Sequence, residues 1–169
     1  LLSAHFTCLE IGARLLAIHQ PFGGIYRPSK NPMYEAFLKR CRGGRLTRAI
    51  DRADIRSFVK YLKENNAVWY APDQDFGMKY SVFAPFMGVM TASLTAPARI
   101  AKMSGALVVP FFPQRLDNNN GYKLTILPAL ENFPVGDELQ DARRINEIIE
   151  TQVKKAPEQY FWVHTRFKT

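Results

Sequence analysis

The sequence predicts an α/β fold: a layered domain with a mixed, mostly parallel sheet flanked by helices. Three observations predict it. Short apolar runs bounded by Pro, Gly or Asn alternate with amphipathic stretches of helical period. One pair, "ALVVPFFPQRL" and "YKLTILPAL", is joined by "DNNNG", which marks a hairpin and keeps the sheet from being purely parallel. The 169 residues, 47% hydrophobic and 22% charged, suit one packed domain rather than a disordered chain.

Taken in order, "LLSAH" reads as a strand, and residues 7–19 as a helix through Leu9, Leu15, Leu16 and Ile18. "GGIYR" is a second strand after the break at Gln20-Pro21. "NPMYEAFLKRC" is a helix with Pro32 in its first turn. "AIDRADIRSFVKYLKEN" is the clearest helix, with Asp51 as its expected cap and Ile55, Phe58, Val59 and Leu62 as its buried stripe. "AVWYAP" is a buried strand closed by Pro72. "SVFAPFMGVMT" is demoted by Pro85 to a loop or edge segment. "TAPARIAKMSG" is a short helix ending at Gly105. "DELQDARRINEIIETQVKKA" is a long helix with Leu139, Ala142, Ile145, Ile149 and Val153 on one face, limited by Pro157.

The formal net charge of +8 favours anionic partners: phosphorylated substrates, an anionic membrane face or nucleic acid. The charge is concentrated in "KRCRGGRLTR", where two central glycines predict a loop. Aromatics do not interleave with it as a base-stacking platform would, so nucleic acid is the poorer partner. Cys8 and Cys41 form no CxxC pair, which suits a reducing compartment. His5-Phe-Thr-Cys8 has no second ligand pair to complete a zinc site. No GxGxxG follows the first strand and no GxxxxGK[ST] occurs, so dinucleotide and P-loop readings lack support. No apolar run reaches the ~18 residues of a membrane span.

Two constellations could carry chemistry. His5 and Glu10 stand five residues apart, about 500° of helical turn, so two helical side chains at this spacing do not share a face. They meet only if His5 precedes the helix and Glu10 reaches back from an early turn. The carboxylate would then hold Nδ1 and leave Nε2 as a base acting on a substrate hydroxyl. The bland alternative is a satisfied histidine beside a surface glutamate. In "WYAPDQDFG" a buried strand delivers Asp73, Gln74 and Asp75 into a loop, where α/β folds place function. A kinase reading of "DFG" fails for want of a glycine-rich loop and an HRD motif. An ion pair of Asp73 with an arginine of the basic stretch is expected in preference to a metal.

The blocks "AHFTCLEIG", "YRPSKNP", "RCRGGRL", "WYAPDQDFG", "SVFAPFMGV", "ARIAKMSGALVVPFFP" and "APEQYFWVHTRFKT" occur in the order found in the lipid A biosynthesis acyltransferases. The chain resembles that family over its whole length, most closely the Kdo2-lipid IVA lauroyltransferase type. The family is related to the glycerol-phosphate acyltransferases, whose shared mark is His-x4-acid.

The resemblance implies transfer of a fatty acyl chain, lauroyl by the nearest branch, from acyl carrier protein to a hydroxyl on a 3-hydroxyacyl chain of Kdo2-lipid IVA. It implies His5 as general base and Glu10 as its partner, with Arg42 and Asp73 functionally required and Tyr26, Arg27 and Asn31 as further members of a motif block. It implies no metal and no cofactor beyond the phosphopantetheine thioester of the donor. The expected partners are acyl carrier protein, a Kdo2-lipid IVA-type glycolipid and a membrane surface, at the cytoplasmic face of the inner membrane. Residues 1–169 are expected to be a single acyltransferase domain, a fragment without the N-terminal membrane-anchoring region and a short C-terminal tail. A related enzyme for another glycolipid or a glycerophospholipid is the alternative. That branch would show an "EGTR"-like block where "PDQDFG" stands.

Overall fold

A computed structural model of the chain describes residues 1–42 and 46–169; the side chains of residues 38, 39 and 41–47 fall outside the described set. Its organising element is β1 (Phe22–Tyr26), central in a three-stranded parallel sheet between β2 (Leu46–Asp51) and β3 (Ala67–Trp69). Parallel neighbours need crossovers, and α2 (Pro32–Arg42) and α3 (Ile55–Lys63) supply them. The carboxyl ends of all three strands therefore open on one edge of the sheet. Among the described residues no helix is long and apolar enough to cross a membrane.

The N-terminal stretch runs extended beside β3. Leu2 makes parallel bridges to Tyr70 on one side and Pro110 on the other. Its N–H donates to the Val109 carbonyl (2.9 Å) and its carbonyl accepts from Phe111 N–H (2.8 Å). Alternation along this stretch sends Leu2, Ala4 and Phe6 into one hydrophobic cluster, so the His5 ring turns away from it. The chain then enters α1 (Leu9–His19).

The expected continuous sheet is divided. Beside the parallel sheet stand two antiparallel pairs: β4 (Ser81–Phe86) with β5 (Val89–Leu94), and β6 (Phe111–Arg115) with β7 (Tyr122–Ile126). Leu2 links the parallel sheet to the β6 side through single bridges to Tyr70 and Pro110. The segment demoted for Pro85 is in fact the β4–β5 hairpin, with Pro85 opposite Met90. Both strands of a two-stranded ribbon are edges, so the missing N–H costs little. Met87 (φ 52°) and Gly88 (φ 80°) form the positive-φ turn that a two-residue hairpin favours.

Helix starts and faces differ in detail from expectation. Asp54, not Asp51, caps α3: its carboxylate accepts from Ser57 N–H (3.0 Å), while Asp51 accepts from Ala53 N–H at the end of β2 (2.9 Å). Phe58 and Tyr61 carry the buried face of α3, and Ile55 is exposed. The basic stretch is not simply a loop. Residues 39–42 complete α2, and residues 46–48 open β2. After α4 (Ala96–Ser104), which ends on Gly105 as expected (φ 72°), α5 (Glu138–Val153) lays Ala142, Ile145, Ile149 and Val153 on β4 and the N-terminal stretch. Leu139 of the expected stripe is exposed.

Gly12 is where α1 approaches β6. A Cβ there would overlap the Pro113 ring, whose strand backbone leaves it no room to move. Gly12→Ala is expected to lower stability by about 1–3 kcal/mol, the cost of overpacking. A urea-unfolding midpoint equal to wild type would show that the α1–β6 contact is looser than this.

Candidate active site

His5 lies between the Leu2 bridge and the first residue of α1, in the strand-to-helix turn that the spacing argument requires. Its backbone is held on both sides: its carbonyl accepts from Phe161 N–H (2.9 Å), and its N–H donates to Asp73 Oδ2 (2.8 Å). The ring Nδ1 meets the other oxygen of the same carboxylate, Oδ1, at 2.6 Å. Both oxygens of Asp73 thus serve one residue.

Asp73 follows β3 by four positions, beyond Tyr70 and Pro72, on the edge where the parallel strands end. It is 1% exposed. Burial raises its carboxyl pKa, but the hydrogen bond and charge of His5 outweigh that and hold it below the ordinary carboxylate range. An ionised Asp73 on Nδ1 fixes the His5 proton there and leaves Nε2 with a lone pair. The His5 side chain is 21% exposed, and its Nε2 is neither sealed from solvent nor bonded to any described residue. The geometry is that of a base held in one tautomer by a buried carboxylate.

A second imidazole stands beside it. The His164 ring lies 4.3 Å from the His5 ring, centroid to centroid, tilted by 58°. Trp69 meets His5 edge-on at 5.8 Å. His164 Nδ1 accepts from the side-chain amide of Gln74 (3.1 Å), the residue after Asp73. Burial, then the neighbouring His5, push the His164 imidazolium below the ordinary histidine value. Tyr160, buried against Phe6, has its hydroxyl pKa driven well up by burial and by the Asp73 charge.

The residues singled out from sequence separate into groups. His5 and Asp73 come together. The Nδ1 position expected for Glu10 belongs to Asp73, while Arg42 and Arg45 of the basic stretch, candidates for the ion pair expected on Asp73, have side chains outside the described residues. Glu10 stands exposed in the first turn of α1, which suits a carboxylate at a helix N-terminus. Asn31 caps α2, its Oδ1 accepting from Met33 N–H (3.0 Å) and Tyr34 N–H (3.2 Å). Tyr26, at the carboxyl end of β1, donates to Glu35 (3.3 Å), which also accepts from Ser29 N–H (2.8 Å). Arg27 is exposed in the same loop. The Arg42 side chain lies outside the described residues. Asp75 ties the loop to Thr169 and Gly77. His164 and Gln74 were given no role on sequence. Their signal was only that one follows Asp73 directly and the other lies in the block "APEQYFWVHTRFKT".

The whole chain, residues 1–169, matches the family model described as bacterial lipid A biosynthesis acyltransferase. It is 40% identical, over all of its length and 56% of the relative's, to the lipid A biosynthesis lauroyltransferase of Escherichia coli (strain K12). It is 41% identical, over 98% of its length and 54% of the relative's, to the palmitoleoyltransferase of the same organism. To the myristoyltransferase of that organism it is 31% identical, over 98% of its length and 52% of the relative's. The chain spans about half the length of the curated relatives it matches.

The lowered Asp73 pKa has a definite consequence for stability. A depressed carboxylate contributes stability that is present above its unfolded-state value and is lost as pH falls through its folded value. Wild type is therefore expected to lose its advantage over Asp73→Asn as pH falls from about 5 toward about 2. Urea midpoints of both proteins across that range measure it; a difference independent of pH would show that the carboxylate is not ionised in the native state.

Proposed function

The chain belongs to the bacterial lipid A biosynthesis acyltransferases, and from that premise we propose that it moves a fatty acyl chain from acyl carrier protein to a hydroxyl of a 3-hydroxyacyl chain on a Kdo2-lipid IVA-type glycolipid. The observation that carries this reading is His5, oriented through Nδ1 by buried Asp73 and open at Nε2. In the reaction, Nε2 takes the proton of the acceptor hydroxyl as its oxygen bonds to the thioester carbonyl carbon. The carbonyl π pair moves onto oxygen. Collapse of that oxyanion breaks the C–S bond, and the departing phosphopantetheine sulfur recovers the proton from His5. An ester and a thiol result, and no metal or redox partner is needed for the balance.

Asp73 is the orienting carboxylate in this scheme. It holds the tautomer and stabilises the imidazolium that forms. Glu10, in the first turn of α1, supports the same turn through its charge. The basic residues at the end of α2, Arg42 among them, are of the charge that suits the phosphates and acidic sugars of the acceptor and the acidic carrier protein. They also suit docking at the anionic cytoplasmic face of the inner membrane. Lauroyl and palmitoleoyl relatives match this chain equally well, so thioesters of both belong in the assay.

The test is acyl transfer by the protein at its native length. His5→Ala is expected to lose at least about 10³-fold in kcat, and Asp73→Asn about 10²–10⁴-fold with the fold intact. Turnover retained in His5→Ala would remove the base from the scheme. Arg42→Lys is expected to lose activity despite keeping its charge, because a guanidinium fork grips two oxygens where an ammonium grips one. Unchanged kinetics would make Arg42 a generic cation.

A further inference from the structure

The base is one of two imidazoles at this site, and the second has its own support. Gln74 presents its amide N–H₂ to His164 Nδ1 at 3.1 Å. An amide nitrogen only donates, so Nδ1 must carry a lone pair, and the ring proton sits on Nε2. That Nε2–H has no partner among the described residues and is not sealed from solvent. The ring is fixed by Phe161 on one side (4.4 Å, edge-on) and His5 on another (4.3 Å). Consecutive residues of one loop therefore set the two tautomers in opposite senses. Asp73 makes His5 an acceptor at Nε2, and Gln74 makes His164 a donor at Nε2.

We propose that His164 is an oxyanion donor for acyl transfer: its neutral Nε2–H, set by Gln74, hydrogen-bonds the thioester carbonyl oxygen as negative charge develops there. The inference rests on the acyl-transfer reading of His5. The oxyanion and the attacking oxygen are bonded to the same carbon, and the attacking oxygen lies within hydrogen-bond reach of His5. A donor one ring away is placed at that scale. Neutrality matters as much as position. His5 becomes an imidazolium when the oxyanion forms, and a second cation beside it would oppose that step; a neutral N–H does not. The downward push of burial and of His5 on the His164 imidazolium acts in the same direction. Asp73 places a buried negative charge directly on His5, where positive charge forms; Tyr160, neutral, and the buried Arg166 guanidinium stand near the same carboxylate.

The test compares His164→Phe with His164→Gln in the native-length protein, with His5→Ala as reference. Phenylalanine keeps a ring against His5 and Phe161 but has no N–H. Glutamine loses the ring but can place an amide N–H near the Nε2 position. His164→Phe is expected to lose about 10²–10³-fold in kcat with KM little changed, the pattern of an interaction made only in the transition state. His164→Gln is expected to keep at least about tenfold more of kcat than the phenylalanine variant. Equal losses, or better activity with phenylalanine, would reduce His164 to ring packing and overturn the proposal. ¹⁵N shifts of His164 in the wild type give a readout that needs no variant. A neutral Nε2–H tautomer at pH 7 supports the proposal, and an imidazolium or an Nδ1–H tautomer refutes it. If His5→Ala itself retains turnover, the acyl-transfer scheme fails at the base. Loss in His5→Ala with equal His164 variants leaves the scheme standing and removes only the donor.

Discussion

The Asp73 carboxylate is where the chain is fastened around its site. A buried carboxylate without partners costs several kcal/mol, and here both oxygens are satisfied by a single residue, through its backbone N–H and its ring. The clamp therefore fixes the path of the N-terminal stretch as well as the side chain that stretch presents. Leu2 is already bridged to Tyr70 and Pro110 three residues earlier. The His5 ring then has few ways to move that do not break a backbone contact. Orientation of the His5 ring is a by-product of how the sheet closes.

The last residues of the chain complete the enclosure. Phe6 bridges Tyr160, Thr7 N–H donates to the Gln159 carbonyl (2.8 Å), and the Gln159 amide spans the Arg115 backbone. Arg166 is 2% exposed, held by the Ala92 carbonyl, Ser93 Oγ and Asn146 Oδ1, and stacked 5.0 Å over Phe86. Burial pushes its guanidinium pKa down, and the nearby carboxylates of Asp73 and Asp75 oppose that push. Asp75 ties down Thr169. The site is assembled from residues 1–8, the loop after β3 and the C-terminal segment, with α5 and the β4–β5 hairpin packed behind. Such a site depends on long-range closure and not on any one element.

That dependence explains what could be read in advance. Local signals were legible. Helix and strand alternation, the hairpin at "DNNNG", the Gly105 stop and the need for His5 to precede its helix all rest on neighbours in sequence. His-x4-Glu offered a local partner for the base, and the fold chose one 68 residues away. No spacing rule reports a contact made by two parallel segments brought side by side. Asp73 was nonetheless visible as a polar group at the end of a buried strand, while its partner was not. Pro85 marked its segment as a loop or an edge, and the fold takes the edge alternative, because the nitrogen of an edge-strand proline can face away from its one neighbour. His164 gave almost no sign, since its meaning comes from the loop that reaches it.

The same geometry bears on how acyl transfer is divided between protein and substrate. A covalent mechanism needs an enzyme nucleophile near the base. Of the hydroxyls and thiol nearest His5 in sequence, Ser3 and Cys8 are buried, and Thr7 is exposed with its backbone tied to Gln159. The Cys8 thiol pKa is raised by burial, and its sulfur rests on Gln159. Neither buried group is poised as an activated nucleophile, because a useful thiol is a thiolate in an electropositive, accessible place. What is accessible is the edge of two imidazoles, one accepting and one donating. A thioester brings its own activation, so such a pair has only to take a proton from the acceptor and receive charge on the carbonyl. On the proposed reading the protein acts by position and electrostatics, and the bond-making groups belong to the two substrates.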